Sequence, residues 1–85
     1  MPTISMFFGI LIRMYYDEHN PPHFHASYQG NQATFDMEGN ILEGAFPDRQ
    51  KKLVSAWAVL HKDELLANWE LAREDQALFR IDPLR

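Results

Sequence analysis

The chain has 85 residues, of which 46% are hydrophobic, with no cysteine and a formal net charge of −4 at pH 7. The apolar content suffices for one core, so we expect a single domain over residues 1–85. The absence of cysteine excludes disulfides and thiolate metal sites and predicts a reducing, cytoplasmic setting. The negative charge disfavours RNA or DNA held by long-range attraction, and the longest apolar run, Met6 to Ile12, is too short to span a membrane.

The N-terminal stretch predicts two strands. Residues 3–8 and 10–16 are rich in β-branched and aromatic side chains, and Gly9 between them predicts a bend or bulge. Apolar side chains occupy both faces of these segments, with Arg13 as the exception on one face. This pattern is typical of strands in the centre of a sheet.

Alternating apolar and polar side chains over residues 23–29 predict a third strand, with one face in the core and histidines on the other. Gly30-Asn31 follows as a two-residue hairpin signal, since both residues tolerate positive φ. Gly39-Asn40 predicts a second turn, and residues 41–46 are expected to form a short strand after it.

The hairpin defines cross-strand partners for the histidines. If the residues flanking Gly30-Asn31 pair, His25 lies opposite Asp36. On the same face, His23 lies opposite Glu38. Directly opposed Cβ atoms are about 4.5–5.5 Å apart, so each imidazole is expected to bond a carboxylate.

The second half of the chain predicts helix. Asp48 is an N-cap candidate, and apolar residues at spacings of three and four mark one amphipathic face from Leu53 to Ala72. The pattern fits one long, kinked helix, which we favour, or two helices that meet near His61. Residues 78–84 alternate and contain a proline, which predicts a final short edge strand.

The predicted fold is α+β: an antiparallel β-meander of four to five strands, packed on one face by the long C-terminal helix or helix pair. The residues expected at this contact are Trp57, Leu60, Leu65 and Trp69 from the helix, and Ile10, Ile12, Phe24, Tyr28 and Phe35 from the sheet.

Residues 17–25, Asp-Glu-His-Asn-Pro-Pro-His-Phe-His, hold three of the four histidines. One interpretation is structural, with the histidines serving hydrogen bonds and solubility. In a second, His23 and His25 are acid/base catalysts, each backed by a carboxylate. Asp36 would fix the tautomer of His25, and Arg13 would stabilise an anionic phosphorane, as RNA cleavage without a metal requires.

A third interpretation is a metal centre. His23 and His25 share one strand face, and His19 would fold back over them. Three imidazoles suit zinc or another divalent ion, so His19, His23 and His25 are candidate ligands.

Three features of the sequence recur in a known family: residues 1–10, the motif His-Asn-Pro-Pro-His-Phe-His at 19–25, and the later Trp57, Leu60-His61 and Asn68-Trp69-Glu70. With them, essentially the whole chain resembles domain-of-unknown-function family 4160 (DUF4160), a group of small bacterial proteins. The resemblance implies a toxin-like component of a type II toxin–antitoxin pair, encoded beside a small partner of domain-of-unknown-function family 2442. It implies no particular catalytic residues.

Two functions are therefore expected. The first is a toxin that acts as a metal-independent ribonuclease through its strand histidines, although the pI near 5.4 departs from the basic charge usual for toxins that attack RNA. The second is a non-catalytic module that docks a small antitoxin-like protein, or forms a homodimer, through its open sheet face. The side chains expected on that face are Arg13, Tyr15, His19, His23, His25, Ser27, Asp36 and Glu38.

Overall fold

The computed structural model describes residues 2–16 and 18–85; Met1 and Asp17, which begin the family-like N-terminus and the histidine segment, lie outside them. Over the described residues, five strands form one antiparallel sheet in sequence order, and two helices follow. The predicted α+β meander is thereby confirmed. The elements are β1 Thr3–Phe7, β2 Ile10–Arg13, β3 His23–Tyr28, β4 Asn31–Asp36, β5 Ile41–Gly44, α1 Asp48–Leu60 and α2 Lys62–Arg73.

The hairpin between β3 and β4 turns at Gln29-Gly30, where φ is 45° and 84°. Positive φ at both positions, with glycine at the second, is the geometry of a primed two-residue turn. Tyr28 therefore pairs with Asn31, and the predicted register around Gly30-Asn31 is wrong by two residues. A two-residue shift keeps every side chain on its own face, so the apolar pattern is compatible with both registers.

The helices cover the face of the sheet that carries the apolar residues of β3 and β4. Phe24 and Phe35 are fully buried, and their rings stack with centroids 5.6 Å apart. The Trp57 ring of α1 lies 5.7 Å from Phe24 and 5.3 Å from Phe7 of β1. Because large aromatic side chains dominate core energetics, this cluster holds α1 on the sheet.

Two expectations about burial are wrong. β1 is an edge strand with one neighbour, not a central strand, and its Met6 is 55% exposed, as is 60% of Phe8 in the following turn. Apolar side chains on both faces of a segment are thus not sufficient to predict a strand in the centre of the sheet. Leu60, expected in the core, is 68% exposed, because α1 ends there and the chain changes direction.

The two helices meet at His61, whose φ of −119° and ψ of 26° depart from helical values. The structure thus has the helix pair, the second of the two predicted alternatives. Backbone hydrogen bonds continue across the bend, from the His61 N–H to the Trp57 carbonyl and from the Leu65 N–H to the His61 carbonyl. Within the described ranges, neither helix has the length and apolar character needed to cross a membrane.

The segment after α2 is irregular and does not form the predicted edge strand. The Ile81 N–H donates to the Ile4 carbonyl of β1 at 2.7 Å. A second anchor is the fully buried Asn68, whose side chain donates to the Phe79 carbonyl at 2.9 Å and accepts from the Phe79 N–H at 3.0 Å. The Asn68 side chain thus bonds the Phe79 N–H and carbonyl, the two groups that a neighbouring strand would bond in a sheet.

Candidate functional site

A row of side chains crosses the sheet on the face opposite the helices. The register places Arg13 of β2 beside His25 of β3, and His25 beside Thr34 of β4. Thr34 in turn lies beside Glu43 of β5. Because paired residues of antiparallel strands point to the same face, the row aligns a guanidinium, an imidazole, a hydroxyl and a carboxylate.

Glu18 joins the two histidines of β3 next to this row. The His25 Nε2–H donates to Glu18 Oε1 at 2.7 Å, and His23 Nε2 lies 3.5 Å from Glu18 Oε2. The ligand atoms of the three side chains all lie within 4.8 Å of one another. The side chains are 13% (His23), 29% (His25) and 26% (Glu18) exposed, so small solutes can reach them.

The tautomer of His23 follows from its second ring nitrogen. His23 Nδ1 lies 2.8 Å from the Pro21 carbonyl oxygen, which can only accept a hydrogen bond, so Nδ1 carries a proton. In the neutral ring, Nε2 is then a lone pair directed toward Glu18. Metal-binding histidines in proteins commonly have this arrangement, with one nitrogen bonded to a carbonyl and the other available to the ion.

Neighbouring elements hold the two imidazoles in place. The Tyr15 ring packs edge-on against His25 with centroids 4.3 Å apart, and the buried Trp69 of α2 lies 5.2 Å from the His23 ring. Pro21-Pro22 rigidify the loop before β3, since each proline fixes its own φ. This loop lets Glu18 reach back over a histidine seven residues later in the chain.

A cavity of about 310 Å³ lies on the open face of the sheet. Its lining includes the row described above together with Tyr15 and Ser27. A neighbouring cavity is lined by Glu18, His19 and His23, and the two cavities share His25, Thr34 and Glu43. Of the possible metal ligands, His25 therefore lines both cavities, whereas Glu18 and His23 line the second one.

The structure brings together some of the residues singled out from sequence. His23 and His25 lie together, and Arg13 lies beside His25 on the neighbouring strand as expected. His19 is exposed in the loop and borders the second cavity, outside the group of converging donors. Glu18, which the sequence did not predict as a ligand, takes the place expected for His19. The sequence signal that could have identified Glu18 is its position directly before the His-Asn-Pro-Pro-His-Phe-His motif.

The predicted pairing of the histidines with Asp36 and Glu38 is wrong. In the shifted register, His23 is the residue opposite Asp36. The Asp36 carboxylate instead accepts hydrogen bonds from the Glu38 N–H and the Asn40 N–H, both at 2.9 Å, because a strand-end aspartate can bond the amides of its own turn. Glu38 is exposed and accepts two bonds from Lys62 of α2 at 2.9 and 3.1 Å.

Comparison with known proteins gives a family and no activity. A family model described as "Domain of unknown function (DUF4160)" matches residues 9–70, a range that contains the loop, both histidines of β3 and most of α2. The curated proteins gave no match, and neither did the solved structures.

Proposed function

The chain belongs to the DUF4160 family, and from that premise we propose that Glu18, His23 and His25 bind one divalent metal ion, with zinc the first candidate, as a hydrolytic centre. The description of the family names no reaction, so the proposal depends on the site. Catalytic zinc is typically bound by three protein side chains, and two histidines with one glutamate form one such set.

The convergence of three donor atoms carries the proposal. Zinc bonds nitrogen and oxygen ligands at about 2.0–2.2 Å, which spaces the ligands of a tetrahedral site about 3.3 Å apart. In this chain the Glu18–His25 and Glu18–His23 separations are 2.7 and 3.5 Å, and all three ligand atoms lie within 4.8 Å. Small side-chain rotations therefore suffice to bring them around one ion.

Electrostatics at His23 also supports a cation. With Nδ1 protonated and bonded to Pro21, a neutral His23 directs its Nε2 lone pair toward Glu18 Oε2 at 3.5 Å. Two electron-rich atoms repel at that distance unless a proton or a metal ion lies between them. A metal ion would bind Nε2 of both histidines and the carboxylate together once His25 gives up the Nε2 proton that it donates to Glu18.

Three protein ligands leave a coordination position for water. If Glu18, His23 and His25 held a zinc ion, that ion would supply a bound water of lowered pKa and would polarise a carbonyl or phosphoryl oxygen. The partial exposure of the three side chains gives a substrate access to this position.

The test is metal binding by untagged protein. We expect one zinc per chain by mass spectrometry of metal content, and a saturable isotherm by calorimetry. Glu18→Gln, His23→Ala and His25→Ala should each lower the affinity at least about 100-fold, more than the loss of an outer-shell partner does. The matched control is His19→Ala, the same substitution in the same loop, which should leave affinity unchanged.

Wild-type protein that binds no divalent ion would refute the proposal. A loss of affinity in His19→Ala equal to that in His25→Ala would refute the ligand set and favour the three-imidazole site predicted from sequence. Circular dichroism of each variant separates loss of a ligand from loss of fold.

A second candidate function is the toxin-like ribonuclease without a metal. The hydrogen bond from His25 to Glu18, in place of the predicted Asp36, pairs an imidazole with a carboxylate beside Arg13. This pair has the groups needed for acid/base cleavage of RNA. RNA cleavage that survives a chelator and is lost in His25→Ala would favour this function over the metal centre.

A third candidate function is a non-catalytic module that docks a small antitoxin-like partner or a second copy. Its support is exposed apolar side chains, with Val59 66% and Leu60 68% exposed at the end of α1, and Met6 55% at the sheet edge. Calorimetry with the purified partner tests it: binding that Leu60→Ser weakens, with no change in zinc affinity, would support this role.

A further inference from the structure

We infer that the open-face cavity beside the metal ligands is a binding site for the phosphate group of a small phosphate ester, with Arg13 as its main anion-binding side chain. The inference rests on the proposed function, because one phosphate oxygen would reach the metal ion. It adds a substrate class and a residue outside the metal-ligand set.

The position of Arg13 comes from the register of the sheet. Arg13 is the direct partner of His25 across the β2–β3 ladder, so the two side chains leave adjacent strands on the same face. Both also line the 310 Å³ cavity. Arg13 and the proposed metal ligand His25 therefore lie side by side at one wall of the cavity.

The rest of that wall supplies hydrogen-bond donors. Tyr15, Ser27 and Thr34, whose side chains carry hydroxyl groups, also line the cavity. A phosphate group accepts several hydrogen bonds at once, and the planar fork of arginine suits two of its oxygens. A carboxylate has only two oxygens, so phosphate makes fuller use of the guanidinium, the hydroxyls and the metal ion together.

The opposite wall has the opposite charge. Glu43 of β5 lines the cavity two strands away from His25, so the cavity is positive at the β2 side and negative at the β5 side. A ligand with a phosphate at one end and hydroxyl or amino groups at the other matches this polarity.

The size of the cavity and the charge of the chain favour a small ligand over a nucleic acid. A volume of about 310 Å³ is near the lower end of the range for small-molecule pockets. The net charge of −4 repels a polyanion over long range, whereas a single phosphate needs only the local donors.

The experiment uses inorganic phosphate as the probe, with acetate as the comparison anion. Each anion is titrated by calorimetry into full-length protein with and without one equivalent of bound zinc. We expect phosphate to bind more tightly than acetate and more tightly with zinc. Arg13→Gln should lower phosphate affinity about 10-fold or more, as expected for losing bonds to a charged group, and leave zinc affinity within about 2-fold.

Two further variants sharpen the result. Arg13→Lys keeps the charge but not the fork, and should give an intermediate phosphate affinity. Arg73→Gln makes the same change in charge at an exposed position of α2 and should leave phosphate affinity unchanged. A loss of the same size in Arg73→Gln would show a net-charge effect and overturn the inference.

The outcomes separate the two proposals. If zinc binds and phosphate does not, or acetate binds equally well, the phosphate site is refuted and the metal centre stands. If zinc does not bind, the metal centre is refuted. Phosphate binding that depends on Arg13 in the metal-free protein would then still support the anion site, and its absence would refute both.

Discussion

Replacing Asn68 with alanine is expected to weaken the protein substantially, because the side chain is fully buried and bonds both backbone groups of Phe79. Each of the two lost hydrogen bonds costs about 1 kcal/mol net. The Phe79 N–H and carbonyl, once left without a partner, each add up to about 1 kcal/mol. The expected loss is therefore about 2–4 kcal/mol in the free energy of unfolding.

Urea unfolding followed by tryptophan fluorescence measures this loss, since Trp57 and Trp69 are both buried and report on the core. The melting temperature should fall by at least about 8 °C in a domain of this size. The control is Asn31→Ala, an exposed asparagine with one bond to the Tyr28 carbonyl at 3.2 Å, which should cost about 0.5 kcal/mol or less. A loss below about 1 kcal/mol in Asn68→Ala would refute the anchoring role.

Two further substitutions, each with a matched control, test packing at the turn and around the site. Gly39→Ala should lower the free energy of unfolding by more than Gly30→Ala does. Both glycines have positive φ, but only an added Cβ at Gly39 meets backbone, 2.8 Å from the Ser55 Cα. We expect urea unfolding to show a loss of about 2–3 kcal/mol for Gly39→Ala and about 1 kcal/mol for Gly30→Ala, and equal losses would contradict this contact. Trp69→Phe should lower zinc affinity about 10-fold, because it loosens the packing of the His23 ring. The control is Trp57→Phe, at a buried tryptophan of α1. It should lower stability and leave zinc affinity unchanged, and calorimetry measures both zinc affinities.

The sequence predicted the faces of the sheet better than its register. Strict alternation over residues 23–28 identified which side chains of β3 enter the core, and Phe24 and Ala26 are buried as expected. The turn itself was misplaced by one residue, because Gly30 suits either position of a primed turn. Since strand pairing repeats every two residues, no apolar pattern could correct the resulting shift.

The histidines of the site were predictable, and their carboxylate partner was not. His23 and His25 stand out by composition and by their shared strand face. Cross-strand pairing predicted Asp36 as the partner of His25, whereas the observed partner, Glu18, comes from the loop before β3. Loop geometry depends on packing against distant residues, and strand periodicity carries no information about it.

The helical region shows a similar limit. The spacing of apolar residues correctly placed Trp57, Leu65 and Trp69 in the core. It did not decide between one kinked helix and two helices that meet near His61, because the backbone hydrogen bonds continue there and no glycine or proline marks the bend. Leu60 keeps the apolar spacing but lies at the exposed end of α1.

The order of the strands has a consequence for how the chain matures. Each strand pairs only with its neighbours in sequence, so the sheet can assemble from short loop closures, which favours rapid folding. During synthesis, β1 to β5 leave the ribosome before α1 and α2, and N-terminal parts form first. Until the helices arrive, the sheet would present Phe24 and Phe35 to the surrounding solvent. The nascent protein therefore passes through an aggregation-sensitive stage that ends when α1 docks.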